Sequence, residues 1–169
     1  MTTDALDYFR PPASDALGLI LIRANHSGLT EVEFVGEDEN RKAPRPNELT
    51  QRTCAQLAEY FAGSRHDFEL PLAPTGTDFQ RRVWQALVGI PFGETRSYGE
   101  LAEQLGSKGG QRAVGAANGK NPISIIVPCH RVIGSDGKLT GYAGGIGRKQ
   151  WLLAFEAGEV QMHLGSATV

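Results

Sequence analysis

Twice in the second half of the chain a hydroxyl residue is followed, three positions later, by Gln or Glu: Thr77-Asp-Phe-Gln80 and Ser97-Tyr-Gly-Glu100. Each is the signature of a helix start, where the two side chains satisfy otherwise unpaired backbone N–H groups reciprocally. Behind the first lie Phe79, Val83, Trp84 and Leu87 at helical spacing, with Pro91 beyond the end. Behind the second lie Leu101 and Leu105, with Gly106 as a stop. A short turn, Lys108-Gly-Gly110, leads into a third helix, Gln111-Arg-Ala-Val-Gly-Ala-Ala-Asn118. Two helices joined by a glycine-containing turn form a helix-turn-helix, so this half should be mainly α-helical.

The third helix is thin. Ala113, Gly115, Ala116, Ala117 and Gly119 leave it almost no side-chain bulk, and Arg112 in its first turn is the one long side chain able to reach inward. Such a helix either packs closely on a neighbour or brings its backbone against something rigid and polyanionic. Charge bears on the choice. Residues 1–76 carry 7 Lys+Arg against 12 Asp+Glu, and residues 77–169 carry 10 against 7. No acid falls between Glu103 and Asp136, where Lys108, Arg112, Lys120 and Arg131 lie. That asymmetry suits a polyanionic partner for the second half.

The first half reads differently. Leu17-Gly-Leu-Ile-Leu-Ile22 and the alternating Thr30-Glu-Val-Glu-Phe-Val35 flank the turn Asn25-His-Ser-Gly28, a hairpin pattern. Residues 36–46 form a charged, proline-containing loop. Asn47 can cap a helix over 47–62 with Cys54, Leu57, Ala58 and Phe61 on its apolar face, which places Cys54 in the core. Phe68-Glu-Leu-Pro-Leu72 is a candidate edge strand before the linker Pro74-Thr-Gly76. The expected organisation is an α+β unit over 1–76 (a small antiparallel sheet with a helix), a helical helix-turn-helix domain over 77–160, and a disordered tail over 161–169.

Two cysteines, Cys54 and Cys129, are too few for a disulfide framework, and four scattered histidines show no zinc spacing. No segment approaches the ~18 apolar residues of a membrane span, and MTTDALDYFR lacks the pattern of a secretory signal. A cytoplasmic protein without metal or cofactor is expected.

One cysteine stands in Ser124-Ile-Ile-Val-Pro-Cys-His-Arg-Val-Ile-Gly134. The apolar run would suit a buried structural thiol, whereas His130 and Arg131 would favour a thiolate. Neighbouring side chains on an extended segment point apart, so His130 would act on Cys129 through a water or a sharp turn. A last helix over 148–157 turns Trp151, Leu152 and Phe155 inward, with Glu156 sharing part of that face in the last turn. There the helix dipole disfavours an anion, so Glu156 should have a partner, His130 or Arg131.

Val127-Pro-Cys-His-Arg-Val132 closely resembles the active-site motif of the O6-alkylguanine-DNA alkyltransferases, the methylated-DNA–protein-cysteine methyltransferases. Phe92-Gly-Glu-Thr-Arg-Ser-Tyr-Gly99, Arg112-Ala-Val-Gly115, Asn121-Pro122, Gly141-Tyr-Ala-Gly-Gly145 and Trp151-Leu-Leu153 with Glu156 match in order, from about Thr77 to Gly158. The first 76 residues match only in layout.

The resemblance implies that Cys129 takes the alkyl group, that His130 and Glu156 activate it with a water, and that Asn121 holds the adjoining turn. It implies that Tyr98 acts on the target nucleotide's phosphate and base, and that Arg112 fills the stack when the base is extruded. It places the helix of Gln111, Ala113, Gly115 and Ala116 in the minor groove of double-stranded DNA, with Lys120 and Arg131 as further DNA contacts. Val132, Tyr142 and Ala143 would line the guanine pocket; some members carry Ser at the Ala143 position, so that hydroxyl is missing here. Some members bind zinc in the N-terminal domain, and no matching ligand set stands here. The expected protein is a monomer that repairs O6-alkylguanine once per molecule, with O4-alkylthymine repair and cooperative DNA binding left open. A cysteine hydrolase would instead turn over repeatedly, and a helix-turn-helix regulator would carry polar base-reading side chains on its third helix.

Overall fold

The computed structural model describes residues 4–12, 14–36, 41–107 and 110–160. The tail expected at 161–169, and Lys108 and Gly109 of the expected turn, lie outside them. The chain divides into two compact units, meeting between Pro74 and Thr75.

In the first unit, β1 (Ala5–Phe9), β2 (Leu19–Asn25) and β3 (Gly28–Val35) form an antiparallel sheet with β2 central. Leu6 pairs with Arg23 and Ile22 with Val32, and the β2/β3 register shifts at Arg23/Ala24. The hairpin is thus as expected, but the run from Leu17 is divided. A short helix α1 (Ser14–Leu17) ends before Gly18, whose positive φ of 76° redirects the chain into β2.

Helix α2 (Glu48–Phe61) starts at Asn47, whose side chain accepts from Thr50 N at 2.9 Å while Thr50 Oγ1 accepts from Asn47 N at 2.9 Å. Its buried face is Thr50, Thr53, Gln56, Leu57, Tyr60 and Phe61; Leu57 and Phe61 of the expected stripe lie on it, and Cys54 and Ala58 do not. Tyr60 and Phe61 set the phase: Tyr60 packs on Phe68 and Phe61 stacks on Phe9. Ala58 is left exposed and Cys54 half-buried, with Sγ 3.8 Å from Asp7 Oδ2. The edge strand expected at Phe68–Leu72 is a single bridge between Leu29 and Leu72, since Pro71 has no N–H to extend a ladder. The outer strand beside β2 is β1, which residue patterning had not singled out.

In the second unit, α3 (Asp78–Val88) and α4 (Tyr98–Gln104) begin at the two expected capping boxes. Gln80 N donates to Thr77 Oγ1 at 3.0 Å and Glu100 N to Ser97 Oγ at 3.0 Å, each with the reciprocal bond in place. Helix α5 (Gln111–Gly119) packs against both, and Trp84 Nε1 on α3 donates to Ala117 O at 2.8 Å. A 3₁₀ turn (Cys129–Arg131) runs into β5 (Val132–Ile133), which pairs in parallel with β4 (Arg96–Ser97). This two-residue pairing joins the segment after the cysteine to the strand that feeds Tyr98. The unit closes with α6 (Ile146–Glu156).

Candidate active site

The cysteine turn is held mainly by one amide. Asn121 Nδ2 donates to Val127 O at 2.8 Å and Ile123 O at 3.2 Å, and Asn121 Oδ1 accepts from Ile123 N at 3.0 Å. Inside the loop so closed, Ile125 adopts φ 72°, a region in which a β-branched residue is strained by about 1–3 kcal/mol. Asn118 adds a bond from α5, Nδ2 to Cys129 O at 3.3 Å. Pro128 precedes the turn, and Arg131 N closes it on Pro128 O at 3.0 Å.

Cys129, 2% exposed, lies at the head of this turn, and the 3₁₀ geometry carries His130 to full burial. His130 Nε2 is 2.8 Å from Glu156 Oε2, while His130 Nδ1 is buried with no hydrogen-bond partner among the described residues. The imidazole is therefore held at one nitrogen and makes no direct bond to the thiol. Burial pushes the Cys129 thiol up to about 11, against the opposing pull of Asn121 and of the Lys149 ammonium. Burial also lowers the His130 pKa, partly opposed by Glu156. At Glu156 burial acts to raise the pKa, but the hydrogen bonds from His130 and Arg131 and the Arg131 charge outweigh it and hold the carboxyl well below the usual range.

An open cavity of about 370 Å³ is bounded by Tyr98, Gln111, Arg112, Gly115, Gly134, Ser135, Thr140 and Gly141. Tyr98 OH donates to Thr140 O at 3.3 Å.

The DNA-binding-domain model of 6-O-methylguanine DNA methyltransferase matches residues 78–158, and the ribonuclease-like-domain model of the same protein matches residues 14–74. A methylated-DNA–protein-cysteine methyltransferase of Methanosarcina barkeri is 48% identical over 83% of this chain and 91% of its own. One from Mycolicibacterium paratuberculosis is 65% identical over 60% of this chain, a match spanning 61% of that relative's length. The crystal structure of Mycobacterium tuberculosis OGT in complex with DNA has a TM-score of 0.80 at 46% identity, covering 92% of this chain and 94% of that one. The chain belongs to the 6-O-methylguanine DNA methyltransferase family.

Within the fold of this family, the residues singled out from sequence fall into two groups. Cys129, His130, Glu156 and Asn121 come together in the buried network, with Val132 and Tyr142 buried beside it and Ala143 exposed. Gln111, Arg112, Ala113, Ala116 and Lys120 are exposed along α5, and Tyr98 packs beneath Gly115. Helix α5 thus buries Val114, Ala117 and Asn118 and presents its small residues outward.

Arg131 is a correction. It was expected at the DNA surface, but its side chain is 5% exposed and lies inside the unit. Its Nε and Nη2 donate to the two Glu156 oxygens at 2.7 and 2.9 Å, and Nη1 donates to Ile90 O at 2.6 Å. Consequently it is not the cation that favours the Cys129 thiolate. That charge is Lys149 on α6, fully buried, with Nζ donating to Val132 O at 2.5 Å and Thr140 O at 2.9 Å. Lys149 was missed because Arg148-Lys149-Gln150 reads as a solvated polar run. Its place one turn before Leu152 and two before Glu156, on the inward face, was the available signal.

Proposed function

We propose that this chain repairs O6-alkylguanine in double-stranded DNA by taking the alkyl group onto Cys129, once per molecule. The observation that carries the reading is the buried Cys129 beside an imidazole tied to Glu156 at one nitrogen and without a protein partner at the other. With the thiol pKa near 11, only about one molecule in ~10⁴ holds a thiolate at pH 7. Activation therefore needs a base at the moment of reaction. Neutral His130, accepting through Nδ1 and a bridging water, supplies it.

In the reaction, Sγ bonds to the alkyl carbon as the carbon–O6 bond breaks, and the electron pair stays on guanine. The thiol proton passes to His130, which returns it to solvent, and the departing guanine takes up a proton from solvent. Stacked bases hide the alkyl carbon from in-line attack, so the nucleotide must be extruded at a cost of a few kcal/mol. Arg112, exposed at the first turn of α5, replaces it in the stack, and the outward Ala and Gly residues let α5 approach the minor groove closely. Tyr98, at the edge of the cavity, steers the nucleotide and stabilises charge developing on the base. The product is a thioether with no carbonyl for water to attack, so the protein stops after one transfer.

Intact-mass and peptide analysis after incubation with an O6-methylguanine duplex tests this. One methyl, about 14 Da, is expected on the Cys129 peptide and none on Cys54, whose thiol burial and Asp7 push up to about 12. Sustained turnover, or label on Cys54, would sink the reading.

A further inference from the structure

The reaction above gives Arg131 no task, yet all three of its guanidinium nitrogens are hydrogen-bonded. Its planar fork takes both oxygens of Glu156, its third nitrogen is fixed to Ile90 O just beyond α3, and its guanidinium lies 5.8 Å from the Phe92 ring centroid. We propose that Arg131 is a positioning residue that, by holding Glu156 as an ion in one orientation, dictates which nitrogen of His130 carries the proton.

The argument is one of donors and acceptors. An ionised carboxylate only accepts hydrogen bonds, whereas a protonated carboxyl can donate one. Beside a bidentate guanidinium Glu156 stays ionised, so the 2.8 Å contact at Oε2 requires a proton on His130 Nε2. Neutral imidazole has one N–H, so Nδ1 is then the acceptor and is free of protein partners. Remove Arg131 and burial favours a neutral carboxyl, which can donate to Nε2 and push the ring proton onto Nδ1. The charge matters as well as the fork. Arg131 and Lys149 both oppose protonation of His130, while Glu156 favours it; the Cys129 thiol and the Gly93 N–H, 3.4 Å from Glu156 Oε1, are further polar groups near the pair. A lysine would keep the charge without gripping both oxygens.

The description of Nδ1 as a catalytic base rests on the alkyl-transfer reading, but the tautomer does not, so the two can fail separately. Long-range ¹⁵N spectra of the full-length protein at pH 7.5 report the protonation of each of its 4 histidines, with His130→Gln assigning the signal. The wild-type protein should show His130 neutral with the proton on Nε2; an Nδ1–H form or an imidazolium would overturn the proposal. In Arg131→Met, His130 should become imidazolium or Nδ1–H, and an unchanged Nε2–H signal in the folded variant would also overturn it. Breaking a buried ion pair can prevent folding, so Arg131→Lys is the second variant. It should keep the Nε2–H form while methyl transfer to Cys129 slows roughly tenfold or more through the loosened carboxylate. Transfer at the wild-type rate would show that the fork is not needed. If the wild-type protein transfers no methyl group at all, the functional reading fails while the tautomer result still decides the role of Arg131.

Discussion

The Tyr98 ring lies directly beneath Gly115, where an added Cβ would sit 3.8 Å from both Cδ1 and Cε1. That is ordinary contact, so packing on Tyr98 does not require glycine here. Gly115→Ala should therefore raise thermal stability, by up to about 1 kcal/mol from helix propensity alone. If α5 is thin so that it can meet a DNA backbone, the same change should weaken duplex binding. A stabilised variant with unaltered DNA affinity would return the small residues to a role in helix packing.

Lys149 offers a second test, because its ammonium satisfies two carbonyls and acts electrostatically on Cys129. Lys149→Met takes that donor from Val132 O and Thr140 O; Thr140 O keeps Tyr98 OH at 3.3 Å, so the cost falls on Val132 O, at about 1–3 kcal/mol. Loss of the positive charge should also move the thiol pKa above its present value near 11. Denaturant unfolding checks the first effect, and the pH dependence of iodoacetamide labelling at Cys129 checks the second. An unmoved labelling profile would mean the charge is not felt at the thiol.

Much of this was legible in the sequence because it is local. The capping boxes at Thr77 and Ser97, the hairpin around Asn25–Gly28 and the cap at Asn47 each rest on residues within a few positions of one another. Glu156 was legible as a partnered acid, since burial and dipole both argued against leaving it alone. What escaped depends on distant placement. The β4/β5 pair is two residues long and joins segments 36 positions apart, too short for any periodic signal. Arg131 was legible as a candidate partner of Glu156 but not as buried, and Lys149 not at all, because cations are ordinarily solvated and only Glu156 and the carbonyls of Ile90, Val132 and Thr140 make burial tolerable. The α2 face was half legible: Leu57 and Phe61 were placed correctly, whereas Tyr60 packs on Phe68, a partner that the helix alone does not reveal.

The buried pair also predicts how stability responds to acid. Both His130 and Glu156 have folded-state pKa values depressed below their unfolded ones, so the unfolded chain binds their protons first. Their contribution is fully present above the unfolded values and is lost as pH falls. The histidine component should begin to disappear near pH ~6.5 and the glutamate component below about pH 4.3, each by up to about 1.4 kcal/mol per pH unit. Glu33 in the first unit works in the opposite sense, since burial and Glu31 raise it to about 7. The difference between wild type and His130→Gln cancels that term. The difference should grow less favourable to the wild-type protein as pH drops from 7 to 5, and a flat difference would show that the imidazole is not held neutral by burial.

Arg112 separates binding from base extrusion. It is exposed at the start of α5 and borders the cavity with Tyr98 and Thr140. A side chain that only meets phosphate is replaceable by lysine, and Arg112→Ala would then flatten the salt dependence of DNA binding by about one unit of slope. A side chain that stands in the stack needs its planar guanidinium, so Arg112→Lys should already be slow. In that case the loss falls on duplex substrates, where unstacking must be offset, and it should be strongest opposite a stable base pair. Free O6-benzylguanine needs no extrusion and should alkylate Cys129 in the variant nearly as fast as in the wild-type protein. The second pattern is expected, because Arg112 is the one cation in the first turn of a helix whose outward face beyond Gln111 is Ala and Gly. Single-turnover rates on both substrates decide it: equal losses on duplex and free base would mean the substitution damaged the pocket, and Arg112 would not be the group that replaces the extruded base.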